Sequence, residues 1–284
     1  MAQNDSRSVA ISYAYLGIYL RPKLDAAYTL IGNVREFDAN WREANDAYGM
    51  IEPGSAYGWN ARLRIATNLD RLEQTEDAMA VLREMADERP ERIDAIVGLA
   101  DMLRYDRRWE EAITEYDRAV ERVGGLSPRN WSLLYSRGIA LERARRWELA
   151  EADFLRALEL RPDQPLVLNY LGYSWVEMGI NLDRARSMIE KAVDLRPRDG
   201  YIIDSLGWVL YQLGEFDGAV RQLERAVTLR PTDSTINEHL GDAFWRVGRE
   251  NEARFQWERS LQFDPDEEDI ETIKEKIESG LSDI

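Results

Sequence analysis

Cysteine is absent from the 284 residues, and histidine occurs once, as His239. Without thiols the chain can form no disulfide, no thiolate nucleophile and none of the common structural zinc sites. A lone histidine excludes the H-E-x-x-H zinc pair, and no glycine-rich phosphate loop of the G-x-G-x-x-G or Walker kind is present. No apolar run reaches the roughly 18 residues that cross a bilayer. The nearest is the uncharged stretch from Val9 to Leu20. Positive charge is also in deficit: 37 Lys and Arg stand against 53 Asp and Glu, a net charge of −16. Phosphate contacts need clustered basic residues, so nucleic acid is not an expected partner and an anionic membrane surface is disfavoured. A basic or apolar protein surface fits this charge better.

What is there is a period. Prolines fall at 90, 128, 162, 197, 231 and 265, and the last four gaps are 34, 35, 34 and 34 residues. Arg89, Arg161, Arg196 and Arg230 each precede one of them. A cation in a last helical turn complements the negative end of the helix dipole, and proline then stops the helix. Asp163, Asp199, Asp233 and Asp266 follow within two positions and read as N-caps or first-turn residues of the next helix. Between the prolines small and large residues recur at fixed offsets. Leu206-Gly207, Leu210, Gly214, Ala219, Leu223 and Ala226 form one set; Leu240-Gly241, Phe244, Gly248, Ala253, Trp257 and Ser260 form the next. Leu171-Gly172, Trp175, Gly179, Ala185, Ile189 and Ala192 form the set before, with one residue inserted near Asn181. Glycine or alanine at a helix crossing lets two axes close to about 8–10 Å, and a large residue one turn away fills the groove.

This small–large alternation closely resembles the tetratricopeptide repeat family. The resemblance implies an all-α fold, a right-handed α-solenoid of antiparallel helix pairs. Seven units are expected, at 25–58, 59–92, 93–128, 131–164, 165–199, 200–233 and 234–267, clearest from 93 onward. Residues 8–22 read as the second helix of a unit whose first helix is absent, or as a capping helix. Three tyrosines and the lack of a small-residue cleavage site argue against a targeting segment there. Residues 268–281 carry Ile270, Ile273, Ile277 and Leu281 in one stripe with an acidic opposite face, the pattern of a C-terminal capping helix.

In this family the first helices line a concave groove, which implies a scaffold that binds a segment of another protein. Family members that grip chaperone tails do so with Lys, Asn and Arg on these helices. In the last four units the groove positions hold Ser132, Tyr135, Ser136 and Ile139; Leu166, Asn169, Tyr170 and Tyr173; Tyr201, Asp204, Ser205 and Trp208; Thr235, Glu238, His239 and Asp242. None is Lys or Arg, so a carboxylate clamp is not expected there. The strip is aromatic and acidic instead. Tyr170, Tyr173, Tyr201, Asp204, Trp208, Glu238, His239 and Asp242 are the expected partner-binding residues, for a segment with basic and apolar side chains.

No catalytic residue, cofactor or metal is expected, and the chain is not read as an enzyme. Carboxylate pairs such as Glu110-Glu111 are solvated helix faces in so acidic a chain. Two further readings remain: the non-catalytic carboxy-terminal part of a larger protein with its active domain upstream, and self-assembly through the repeat surface. Long arrays with such a tail are common in bacterial proteins, several of them exported, which points to a bacterial cell envelope.

Overall fold

The computed structural model describes residues 2–281, with side chains from residue 6 onward. Sixteen α-helices and no strand occur among them. The chain divides into two compact units. The first holds residues up to 127 together with 136–150; the second holds 128–135 and 151 onward.

In the first unit lie α1 (Ala2–Leu20), α2 (Asp25–Phe37), α3 (Trp41–Gly49), α4 (Gly58–Arg71), α5 (Thr75–Glu88), α6 (Asp94–Tyr105) and α7 (Trp109–Val123). Helices α8 (Trp131–Arg143) and α9 (Trp147–Leu160) are divided between the two units. The second unit holds α10 (Pro165–Glu177), α11 (Leu182–Leu195), α12 (Gly200–Gln212), α13 (Phe216–Leu229), α14 (Ser234–Arg246), α15 (Glu250–Gln262) and α16 (Ile270–Ser279). Within each unit every helix packs on the next, and α12 also touches α10 on one side and α14 on the other.

The small–large pattern explains the pairing. A Cβ on Gly207 would meet Leu223 Cγ at 2.5 Å, so α12 and α13 can approach only because Gly207 has none. Ala219, Leu223 and Ala226 are fully buried along the same contact. Burying a leucine contributes about 1.5–3 kcal/mol, and several per hairpin offset the entropy of ordering it.

The hairpin turns share one conformation. Ala39, Glu73, Arg107, Arg145, Gly179, Gly214 and Gly248 all have left-handed φ between 57° and 77°. In each, the N–H one residue further on returns to a carbonyl five residues earlier, as from Arg108 to Leu103 and from Glu215 to Leu210, both at 2.9 Å. This is the Schellman closure, which satisfies orphan carbonyls at a helix end. The extra residue before α11 is accommodated at Asn181, also left-handed, which asparagine tolerates well.

Between hairpins, Arg89, Arg196 and Arg230 stand at C-caps immediately before proline. Asp199 and Asp233 cap α12 and α14, accepting from Tyr201 N at 3.2 Å and Ile236 N at 3.1 Å. Two of the four expected aspartates do otherwise. Gln164 takes the N-cap of α10, because Pro165 already opens that helix, and Asp163 instead pairs with Lys191 Nζ at 2.5 Å. Asp269, rather than Asp266, flanks the start of α16.

Candidate partner-binding face

Because α10, α12 and α14 lie side by side, their equivalent positions form a row across the second unit. The eight residues expected to meet a partner all stand on these helices, and the row brings Tyr173, Asp204, Trp208, Glu238, His239 and Asp242 together. They differ in how open they are.

Tyr201 is 51% exposed, with the Arg230 guanidinium 4.7 Å above its ring. Tyr170 is half-buried and turns toward an aromatic group, 5.2 Å from Phe154 and 5.9 Å from Tyr135 between ring centroids. Trp208 is half-buried at the centre of the row. Its ring lies parallel to Tyr211 at 4.9 Å and to His239 at 4.1 Å. Its Nε1–H donates to Glu177 Oε1 at 2.6 Å. Tyr173 is also half-buried. Burial pushes its phenol up, and the carboxylates of Glu177, Asp204 and Glu238 push the same way.

The remaining four residues have internal partners. Asp204 and His239 are both buried and meet at 3.0 Å between Oδ1 and Nδ1. Burial alone lowers the imidazole, but Asp204, with Asp242 and Glu238, outweighs it and holds His239 above its ordinary value. Asp242 is buried: Oδ1 accepts from Trp257 Nε1 at 2.8 Å and Oδ2 from Lys276 Nζ at 2.8 Å. Lys276 also donates to Glu238 Oε1 at 2.6 Å. Burial opposes the charge on this ammonium, and Asp242 and Glu238 overcome it, so its pKa stands above that of a free lysine.

Two participants escaped the sequence reading. Glu177 lies outside the recurrent groove positions, near the end of α10. Lys276 belongs to the capping helix, which was read as apolar stripe against acidic face. A signal for it exists: Lys276 neighbours Ile277 and lies three residues from buried Ile273, on the side that packs. The capping helix is held by more than its stripe. Arg254 Nε donates to the Ile277 carbonyl at 3.2 Å, and Gly280, with φ 73°, lies so near the Trp245 ring that a Cβ there would overlap it.

An array of antiparallel helix pairs, joined by identical turns and presenting its first helices as a row, defines the class of helical-repeat solenoids. The family is more specific. A family model for the tetratricopeptide repeat matches residues 63–126 and 97–165, and a second TPR repeat model matches 207–248. The chain belongs to the tetratricopeptide repeat family.

It is 29% identical over 199 residues to a TPR repeat-containing protein of Pseudomonas aeruginosa, covering 70% of this chain and 33% of that protein. It thus spans about a third of that relative's length. A crystal structure of a tetratricopeptide repeat protein from Parabacteroides merdae superposes with a TM-score of 0.67 at 15% identity, covering 89% of this chain and 97% of that one. YrrB, a TPR protein with an unusual peptide-binding site, superposes with a TM-score of 0.50 at 18% identity, covering 68% and 97%. These similarities in structure establish the fold. Proteins of this family generally serve as protein-interaction scaffolds, and the fold is typically non-catalytic.

Proposed function

We propose that the chain is a protein-interaction scaffold whose first-helix row in the second unit receives a segment of another protein, with lysine or arginine beside an apolar anchor. Its repeat units are taken as the seven stretches from 25 to 267. The row that receives it is formed by Tyr170, Tyr173, Tyr201, Asp204, Trp208, Glu238, His239 and Asp242, to which Glu177 is added. YrrB offers a precedent for peptide binding on this fold.

One observation carries the reading. Glu177, Asp204, Glu238 and Asp242 crowd one face: Glu177, Asp204 and Glu238 raise Tyr173, Asp204, Asp242 and Glu238 raise His239, and Asp242 and Glu238 raise Lys276. Lys276, Arg246, whose Nε donates to the Tyr211 hydroxyl at 3.1 Å, and His239 when protonated are three cations against four carboxylates. A cation brought by a partner is therefore attracted, while Trp208, Tyr173 and exposed Tyr201 offer aromatic area of the kind that dominates interface energetics. Asp204 and Asp242 act through their charge, being buried, whereas Glu177 can meet a partner directly.

The test is an array of decapeptides pairing lysine with leucine or phenylalanine, followed by titration of the best binder. Trp208→Ala should weaken binding by on the order of 2 kcal/mol and lower stability by less than the roughly 3–5 kcal/mol typical of a fully buried aromatic. Glu177→Lys should slow association and flatten its salt dependence. Peptide affinities unmoved by both substitutions would overturn the proposal.

A further inference from the structure

The outer face of α1 carries residues that the other second helices do not place in water. Ala10, Ala14, Gly17 and Pro22 have the spacing of Ala219, Leu223, Ala226 and Pro231, so α1 is in register with the second helices. Its inner side holds Ala14, buried with Ala27, Ile31 and Ala47, and Ile18 packs beside it. Turned away from that side stand Val9, Tyr13, Tyr15, Leu16, Tyr19 and Leu20, each between 52% and 83% exposed. At the position of Leu16, the helices α5, α7, α9, α11, α13 and α15 carry a charge throughout: Glu84, Arg118, Arg156, Lys191, Arg225 and Arg259. At the position of Tyr19 they carry Asp87, Glu121, Glu159, Asp194, Thr228 and Gln262, all polar and all exposed. Those helices have their own first helices in place. A first helix ahead of α1 would therefore still leave Tyr19 uncovered and Leu16 at the surface.

Four of the six residues fall in a seam. Val9, Tyr13, Leu16 and Leu20 are spaced four, three and four, the heptad spacing by which one helix packs along another. No charged residue lies between Ser8 and Leu20, so nothing on the seam selects a charged partner. A chain of net charge −16 meets a copy of itself with least repulsion where neither surface is charged.

We propose that α1 is a self-association site, at which two copies of the chain pair antiparallel about the centre of the seam. Val9 then meets Leu20 of the other copy and Tyr13 meets its Leu16, each pair occurring twice as a two-fold interface requires. Antiparallel order sets the slim end of the helix, Ser8, Val9 and Ser12, against the bulky end, Tyr19 and Leu20. It also keeps Arg21 and Lys23 of one copy away from those of the other. A parallel pair would set bulk on bulk and cation on cation. Aromatic side chains bury roughly 150–250 Å² each when fully covered. Three partly exposed tyrosines with three aliphatic residues offer on the order of 500 Å² per copy, below the roughly 800 Å² of a standard interface, so the pair is weak and reversible. The site makes no use of the acidic row of the second unit and stands independently of that reading.

Sedimentation velocity of the full chain tests this. Between about 2 and about 200 µM it should show a monomer–dimer equilibrium with a Kd on the order of 10⁻⁵ M, as befits so small an interface. Leu16→Arg installs the residue that stands at this position in α7, α9, α13 and α15. It should weaken the dimer by more than about tenfold, because pairing would bury an unpaired charge, with an unchanged helical circular dichroism spectrum. The chain has no cysteine, so introduced thiols read the orientation. An equimolar mixture of Val9→Cys and Leu20→Cys chains should oxidise chiefly to the mixed disulfide. Phosphatidylcholine vesicles form a further arm, to which the chain should not bind. A chain that stays monomeric at the highest concentration, or a dimer indifferent to Leu16→Arg, would overturn the proposal. So would preferential cross-linking of Val9→Cys chains to each other, or vesicle binding that Leu16→Arg abolishes.

Discussion

At Gly207 the fold has no room for a side chain, since a Cβ there would stand 2.5 Å from Leu223 Cγ. Gly207→Leu should destabilise by about 1–3 kcal/mol, the usual result of overfilling a close helix crossing, read as a lower urea midpoint. An unchanged midpoint would mean that α12 and α13 do not cross there. The hairpin turns obey a different residue rule. A left-handed φ costs a side-chain-bearing residue about 1–2 kcal/mol and glycine almost nothing. Gly179, Gly214 and Gly248 sit at this position in the later hairpins, but Ala39, Glu73, Arg107 and Arg145 occupy it in the earlier ones. Arg107→Gly should therefore stabilise, by up to about 1 kcal/mol once the added freedom of the unfolded chain is subtracted. A lower melting temperature would contradict the turn geometry. The turn glycines mark the units from 165 onward, whereas the units at 93–128 and 131–164, whose turns carry Arg107 and Arg145, are legible from their alanine and proline positions instead. The turn needs a conformation, and glycine is only its most visible carrier. Where arginine or glutamate adopts that conformation, no residue type announces it.

Among the elements, α12 and α14 are joined by a contact that titrates. His239 on α14 pairs with Asp204 on α12, both buried. Its folded pKa is raised above the ordinary imidazole value of about 6.5, so the protonated form favours the folded state. That stability is complete below about pH 6.5 and is lost as pH rises through the higher folded value. Thermal melts should show the second unit weakening across this window, and His239→Gln should flatten the dependence. A melting temperature that climbs over the same range would reverse the assignment. Helical periodicity had placed His239 and Asp204 on first helices but carried no sign of their contact. They lie 35 residues apart, and which side chain of one helix meets which of its neighbour depends on the axial offset between helices. Spacing within each helix does not encode that offset. For the same reason spacing presents Asp204 and Asp242 as open to a partner, whereas His239 of α14 covers Asp204, and Trp257 of α15 with Lys276 of α16 covers Asp242. Tyr201, at the start of α12 beside Arg230, escapes this and stays exposed.

For the molecule as a whole, stability should behave as a sum over neighbours, since each helix packs chiefly on the next. A fragment spanning residues 165–284 contains α10 to α16, all within the second compact unit. It should keep a helical circular dichroism spectrum and unfold in urea with a smaller m-value than the full chain, in proportion to the surface it buries. A random-coil spectrum would show that the repeats cannot stand without those before them. Such summation makes the last contact of the array unusually informative. Lys276 ties α16 to Glu238 and Asp242, the same carboxylates that give the first-helix row its charge. On the proposed function, docking of the final helix neutralises part of the charge that would attract a partner's cation to the row. By thermodynamic reciprocity, a bound cation would then weaken docking of α16 by the same free energy by which docked Lys276 weakens binding of the cation. Fraying of α16 would then serve as a gauge of whether the row is filled.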